Sequence, residues 1–115
     1  MTRHDDTVTT RQMLDHAREL AEVTSGRTES DLANDRVLYL AVLQLLQIVG
    51  EAASRLSEEF IGAHAAMPWA EIIALRNRLI HGYNDIHSGI IWRVVTDDIP
   101  TLIASLEEFA DEKRS

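Results

Sequence analysis

The stretch from Val37 to Ala53 constrains this chain more than any other. Val37, Leu38, Leu40, Ala41, Leu43, Leu45, Leu46, Ile48, Val49, Ala52 and Ala53 leave little of a helix circumference polar. A helix apolar nearly all round must be covered on several sides. In a chain of 115 residues other helices can cover only part of it, so a partner subunit is expected to cover the rest. Gly50-Glu51-Ala52-Ala53 is a run of small residues where another helix can approach closely. Glu51 has two readings there, a solvated carboxylate or a buried ion-pair partner for an arginine.

The remaining apolar positions recur at three- and four-residue steps, the period of helices. Met13, Leu14, Ala17, Leu20 and Ala21 mark a first helix over about residues 9–24, stopped by Ser25-Gly26. The second and longest helix is expected over about residues 31–59, with Ser30 or Asp31 as its N-cap. Residues 60–66 read as a loop or ragged helix end. Pro68 suits the first turn of a third helix, over residues 68–81, because its missing N–H is not needed there. A fourth begins near His87, and Asp98-Ile99-Pro100 kinks it or starts a new segment. Leu102, Ile103, Leu106 and Phe109 form the last stripe. Residues 1–7 and 111–115 are polar and expected to fray. Nothing alternates like a strand. The expectation is a single all-α domain over residues 1–115, a small antiparallel helical bundle of four to five helices, homodimeric.

Composition narrows the chemistry. The absence of cysteine excludes disulfides and thiolate catalysis and fits a reducing cytoplasm. No uninterrupted apolar run approaches a membrane span, and the first residues lack the apolar core of a signal peptide. A soluble, cytoplasmic protein is expected. A net charge of −8 opposes general nucleic-acid binding, which is driven by phosphate neutralisation. Any such site must be a local basic patch. Residues 74–93 supply one, with Arg76, Arg78 and Arg93 against Asp85, a local +2.

That patch contains the densest chemistry in the chain, Arg76-Asn77-Arg78-Leu79-Ile80-His81-Gly82-Tyr83. Asn77 and His81 are four apart and share a helix face, which makes Asn77 the natural orienter of the imidazole. Arg76 and His81 are five apart, about 140° round the axis at about 100° per residue. Three routes can bring them together: the arginine wrapping round, the helix unwinding at Gly82, or a partner chain. A histidine in the last turn of a helix can exchange protons near neutral pH. An arginine can stabilise the charge that develops on a phosphorane. Together they suit RNA cleavage without a metal, although a lone histidine at a helix end is also an ordinary C-capping group. His81, Asp85 and His87 lack metal-ligand spacing, so neither a metal nor another cofactor is expected. Trp69 and Trp92 read as core or interface anchors rather than base-stacking platforms, and His16 and His64 as surface residues.

The stretch matches the R-x4-H-x-Y motif of the HepT-like branch of the HEPN ribonucleases. The resemblance covers most of the chain. Gln47 to Ala53 resembles that family's second-helix segment, Met67-Pro68-Trp69 its entry to the third helix, and Ile90-Ile91-Trp92 with Asp98-Ile99-Pro100 its last. It implies a helical toxin of a type VII toxin-antitoxin system that cleaves RNA, tRNA being one candidate, as a homodimer with the two motifs facing each other. It makes Arg76 and His81 catalytic, Asn77 supporting, and Tyr83 the target of a partner antitoxin. That antitoxin, the minimal nucleotidyltransferase MntA, would attach AMP to Tyr83 and block the site. Glu51 is expected to support Arg76 if its ion-pair reading holds. The alternative is a non-catalytic helical dimer module that binds a nucleotidyltransferase or a nucleotide. It shares the fold, so fold cannot separate the two.

Overall fold

The computed structural model describes residues 6–82 and 86–114, the last three of these by backbone alone. Its first helix, α1 (Asp6–Thr24), buries Met13, Leu14, Ala17 and Leu20 along one stripe. Thr9, Thr10 and Thr24 join the buried face, and the hydroxyls of the last two bond back into the helix. Thr10 Oγ1 donates to the Asp6 carbonyl at 2.7 Å and Thr24 Oγ1 to the Leu20 carbonyl at 2.8 Å. Gly26 at φ 75° then turns the chain, a left-handed conformation that costs glycine nothing.

The long helix expected over residues 31–59 is three helices, each started by a short oxygen-bearing side chain. Thr28, rather than Ser30 or Asp31, caps α2 (Glu29–Asn34): its hydroxyl accepts from Asp31 N–H at 3.1 Å while Asp31 accepts from Thr28 N–H at 2.9 Å. Asp35 leaves the helical region at φ −106° and ψ 102° and caps α3 (Arg36–Ser54) through Leu38 N–H. Ser57 caps α4 (Glu58–Ala63) through Phe60 N–H. The Asp6 carboxylate in turn accepts from both the N–H and the hydroxyl of Ser57, at 3.0 and 2.6 Å. Such side chains offer the backbone a partner that competes with the helical ladder, which apolar periodicity does not register. Residues 60–63, read as loop or ragged end, are thus helical.

The third expected helix is present as α5 (Trp69–Gly82), with Pro68 just ahead of it and its carbonyl accepting from Ile72 N–H at 3.1 Å. Trp69 is buried and donates from its indole to the His64 carbonyl at 2.9 Å. His64 is not a free surface residue: its ring stacks on Phe60 with centroids 4.1 Å apart. The last expected helix runs as α6 (Ser88–Arg93), a π-helical turn over Val94–Asp98, and α7 (Ile99–Arg114). Ile99 N–H reaches back five residues to the Val94 carbonyl. The wider turn lies immediately before Pro100, which has no N–H to give the ladder and crowds the carbonyl four residues earlier. The new segment expected at Asp98-Ile99-Pro100 is α7, which begins at Ile99 and is joined to α6 by the π turn.

α1 packs along both α3 and α7, α3 along α5, and α2 on α6. The bundle thus has four principal helical rods, α1, α3, α5 and the α6–α7 continuation, with α2 and α4 as short connections. Met13, Leu20, Leu32, Val42, Val49, Ile91, Ile99, Leu102 and Leu106 form its fully enclosed centre. No strand occurs among the described residues. By length and composition α3, at a mean hydropathy of 1.6, would qualify to cross a membrane, but half of that stretch is buried inside the bundle. Its apolar girth is largely covered by the other helices, with two side chains left bare, Val37 at 79% exposed and Leu40 at 41%.

Candidate active site

At Gly50 α3 and α5 lie in close contact. A Cβ placed there would lie 2.3 Å from Arg76 Cβ and 3.3 Å from the Ile72 carbonyl oxygen. No larger residue fits without moving one helix off the other. The absent side chain lets Arg76 lie directly across the α3 backbone, beside Glu51. The approach anticipated for this small-residue run therefore occurs, and it delivers the motif arginine.

Arg76 is held at several points. Nη2 donates to Glu51 Oε2 in a tight ion pair, and Nη1 donates to Asn77 Oδ1 at 2.9 Å. Nε is enclosed, with no hydrogen-bond partner among the described residues. The Arg76 side chain is 24% exposed and that of Glu51 42%. Glu51 is therefore an arginine's partner, at the protein surface rather than in the interior. Its other oxygen, Oε1, faces Arg55 Nη1 at 3.5 Å. One carboxylate thus stands between two guanidinium groups. A planar guanidinium held by a carboxylate and an amide keeps a fixed orientation, which suits it to meet charge developing at one place.

His81 is exposed in the last turn of α5. The helix stays regular through Gly82, so unwinding does not swing the imidazole towards Arg76. Nor does the arginine wrap round: its guanidinium is committed to Glu51 and Asn77. Among the described residues no hydrogen bond joins Arg76 to His81. Asn77 Oδ1 accepts from the arginine next to it, and among the described residues no hydrogen bond joins Asn77 to His81.

Tyr83 lies outside the described residues, as do Asn84 and Asp85. The chain resumes in firm packing. Ile86 is buried and its carbonyl accepts from Tyr39 Oη at 3.4 Å, while His87 Nδ1 accepts from Gly89 N–H at 3.1 Å and caps α6. Tyr39 and Arg55 are the two contributors that sequence reasoning passed over. The Glu51–Arg55 spacing of four was a legible signal for the second; nothing local pointed to the first.

Elsewhere, a cavity of about 700 Å³ lies between α1 and α7, lined by Arg11, Asp15, Arg18 and Glu107 among others and by none of the site residues. Arg18 and Glu107 form an ion pair there at 2.6 Å. Asp98, in the π turn, has its pKa raised above 3.8, first by burial and then by the neighbouring charges of Glu71 and Asp97, with Arg93 opposing.

Known proteins share much of this sequence. The family described as "Ribonuclease HepT-like" matches residues 13–109. "Putative RNase TTE0752" of Caldanaerobacter subterraneus subsp. tengcongensis is 35% identical over 95 residues, 83% of this chain and 85% of its own. "Probable ribonuclease HepT" of Thermococcus cleftensis is 33% identical, covering 77% of this chain and 81% of its own length. "Putative RNase MJ0127" of Methanocaldococcus jannaschii is 32% identical, covering 84% and 79%. No solved structure matches the chain. With the motif arginine clamped at the α3–α5 crossing and the match running from α1 to α7, this chain belongs to the HepT-like family of HEPN ribonucleases.

Proposed function

We propose that the protein is a toxin-type, metal-independent endoribonuclease, active in the cytoplasm as a homodimer. The observation that carries this is Arg76, fixed by Glu51 and Asn77 on the helix whose last turn exposes His81, in a chain of a ribonuclease family. Arg76 would hold the non-bridging oxygens of the scissile phosphate. His81 would take the proton of the ribose 2′-hydroxyl, or return one to the departing 5′-oxygen. The 2′-oxygen bonds to phosphorus, the P–O5′ bond breaks, and the products are a 2′,3′-cyclic phosphate and a 5′-hydroxyl. RNA is the substrate, tRNA a candidate within that class.

Of the three routes to an Arg76–His81 pair, a regular α5 and a committed arginine favour the partner chain. The bare apolar residues support it. Val37, Leu40 and Ile80 are 79%, 41% and 45% exposed on the same two helices that build the site. Covering such surface at about 25 cal/mol per Å² favours a standing dimer. Tyr83 follows His81 after one glycine, so a nucleotidyltransferase antitoxin that attached AMP there would bring volume and negative charge against Arg76.

The test is cleavage of mixed tRNA by wild type and His81→Ala side by side, with chelator present. Wild type should give cyclic-phosphate ends and His81→Ala should lose on the order of a thousandfold in rate or more. Near-wild-type cleavage by His81→Ala sinks the assigned chemistry. If wild type is silent on every RNA but still binds a nucleotidyltransferase as a dimer, the non-catalytic module replaces it. Tyr83→Phe should cleave yet escape silencing by a cognate nucleotidyltransferase with ATP.

A further inference from the structure

We propose that Arg55 is a second RNA-phosphate contact, set beside Arg76 by the carboxylate the two arginines share. The proposal rests on the ribonuclease reading of Arg76 and His81. It begins from what Arg76 has left to offer. One terminal nitrogen is on Glu51, the other donates to Asn77, Nε is enclosed, and the side chain is only 24% exposed. A guanidinium so committed can stabilise charge at one phosphate but has little reach along a strand.

Arg55 is its opposite. Its side chain is 46% exposed, and its contact with Glu51 is a single long one at 3.5 Å. Ion pairs of that kind between half-exposed side chains exchange readily for water or another anion. A phosphate that takes Arg55 leaves Glu51 to Arg76 alone, so substrate capture and the clamp on Arg76 do not compete.

Position supports the same role. Gly50 lies over Arg76 and Ile72, and Tyr39, earlier on α3, touches Ile86 beyond the end of α5. The two helices are therefore antiparallel. Going from Gly50 to Arg55 leads towards the start of α5, whereas His81 lies towards its end. A single strand whose scissile phosphate is held by Arg76 can lay a neighbouring phosphate on Arg55, across the carboxylate that the two arginines share. In a chain of net charge −8 each such cation weighs heavily, because binding to RNA is driven by phosphate neutralisation. The competing account is purely structural: Arg55 is the C-cap residue of α3 and pairs with Glu51 one turn back.

The two accounts separate by salt dependence. His81→Ala protein, used so that the RNA is not cut, is titrated with a fluorescein-labelled single-stranded RNA of mixed sequence over a range of KCl, with and without Arg55→Ala. The phosphate role predicts affinity lower by about tenfold at low salt, and a log–log salt slope shallower by about 0.7, the value for one phosphate contact on a single strand. With His81 intact, Arg55→Ala should raise KM by more than it lowers kcat, and Arg55→Lys should recover the slope. An unchanged slope with a lowered thermal midpoint overturns the proposal in favour of the structural role. A loss confined to kcat overturns it too, since Arg55 would then act only through Glu51. Wild type that neither binds nor cuts RNA removes the ribonuclease reading itself, and this proposal with it; normal wild-type cleavage with an unaltered slope in Arg55→Ala removes this proposal alone.

Discussion

α1 and α5 both lie along α3, and they use it differently. α1 brings Met13, Ala17 and Leu20, each with no measurable exposure, and two of the threonines it buries, Thr10 and Thr24, bond within their own helix. α5 brings Ile72, Leu75 and Leu79 as well, but it also lays an arginine across a glycine and pairs it with a carboxylate. The first seam yields stability from area removed from water. The second gives up some of that area to hold a cation in one orientation. The difference teaches that stability and chemistry reside on separate flanks of one helix, so substitutions should separate them.

The largest stability effect belongs to the first seam. Leu20→Ala should cost about 3 kcal/mol in denaturant unfolding, the middle of the range for an enclosed leucine, and lower activity only as far as it lowers the folded fraction. A specific loss of turnover in folded Leu20→Ala would break the comparison. Gly50→Ala comes next and should strike both properties. Its methyl would meet Arg76 Cβ at 2.3 Å, so overpacking should cost about 1–3 kcal/mol, and cleavage should fall further than stability explains because the clamp on Arg76 shifts. If Gly50→Ala is as stable and active as wild type, the close approach does not govern the site.

Glu51→Gln sharpens the second seam alone. The carboxylate is 42% exposed, so global stability should change by no more than about 1 kcal/mol. Cleavage should fall on the order of tenfold, as Arg76 loses its charged partner but keeps an acceptor. Full activity in Glu51→Gln would show that Asn77 suffices to orient the guanidinium. The smallest effect lies at Asp98. Its pKa is raised in the folded protein, so between 3.8 and that raised value the native state binds more protons than the unfolded one. Its contribution to stability is full below 3.8 and is lost as pH rises through the raised value. Asp98→Asn should therefore stabilise by about 0.5 kcal/mol or less at neutral pH and show no gain at pH 3. A destabilised Asp98→Asn at neutral pH would contradict the burial and like-charge account.

Much of this was legible in the residues. The 3.6 period placed α1, α5 and the last rod to within a few residues, and Ser25-Gly26 marked the first stop correctly. The long second helix was not legible as three, because Asp35 and Ser57 act through side-chain caps that leave the apolar period almost undisturbed. Pro100 was legible as a disturbance but not as a π turn, since whether a helix breaks or widens depends on what packs beside it. Of the site, Gly50 was readable as a place of close approach, and Glu51 as a choice between solvent and an arginine.

What the sequence determined by itself was the helical class, the family motif and the chemical inventory of the site. Those depend on residue types and near-neighbour spacing, which the one-dimensional order contains. The tertiary structure alone decided that Glu51, twenty-five positions away, clamps Arg76 while His81, five positions away on the same helix, shares no hydrogen bond with it among the described residues. The reason is geometric. A regular helix turns residues five apart to different sides, whereas an antiparallel neighbour with a glycine at the crossing can bring distant side chains to contact.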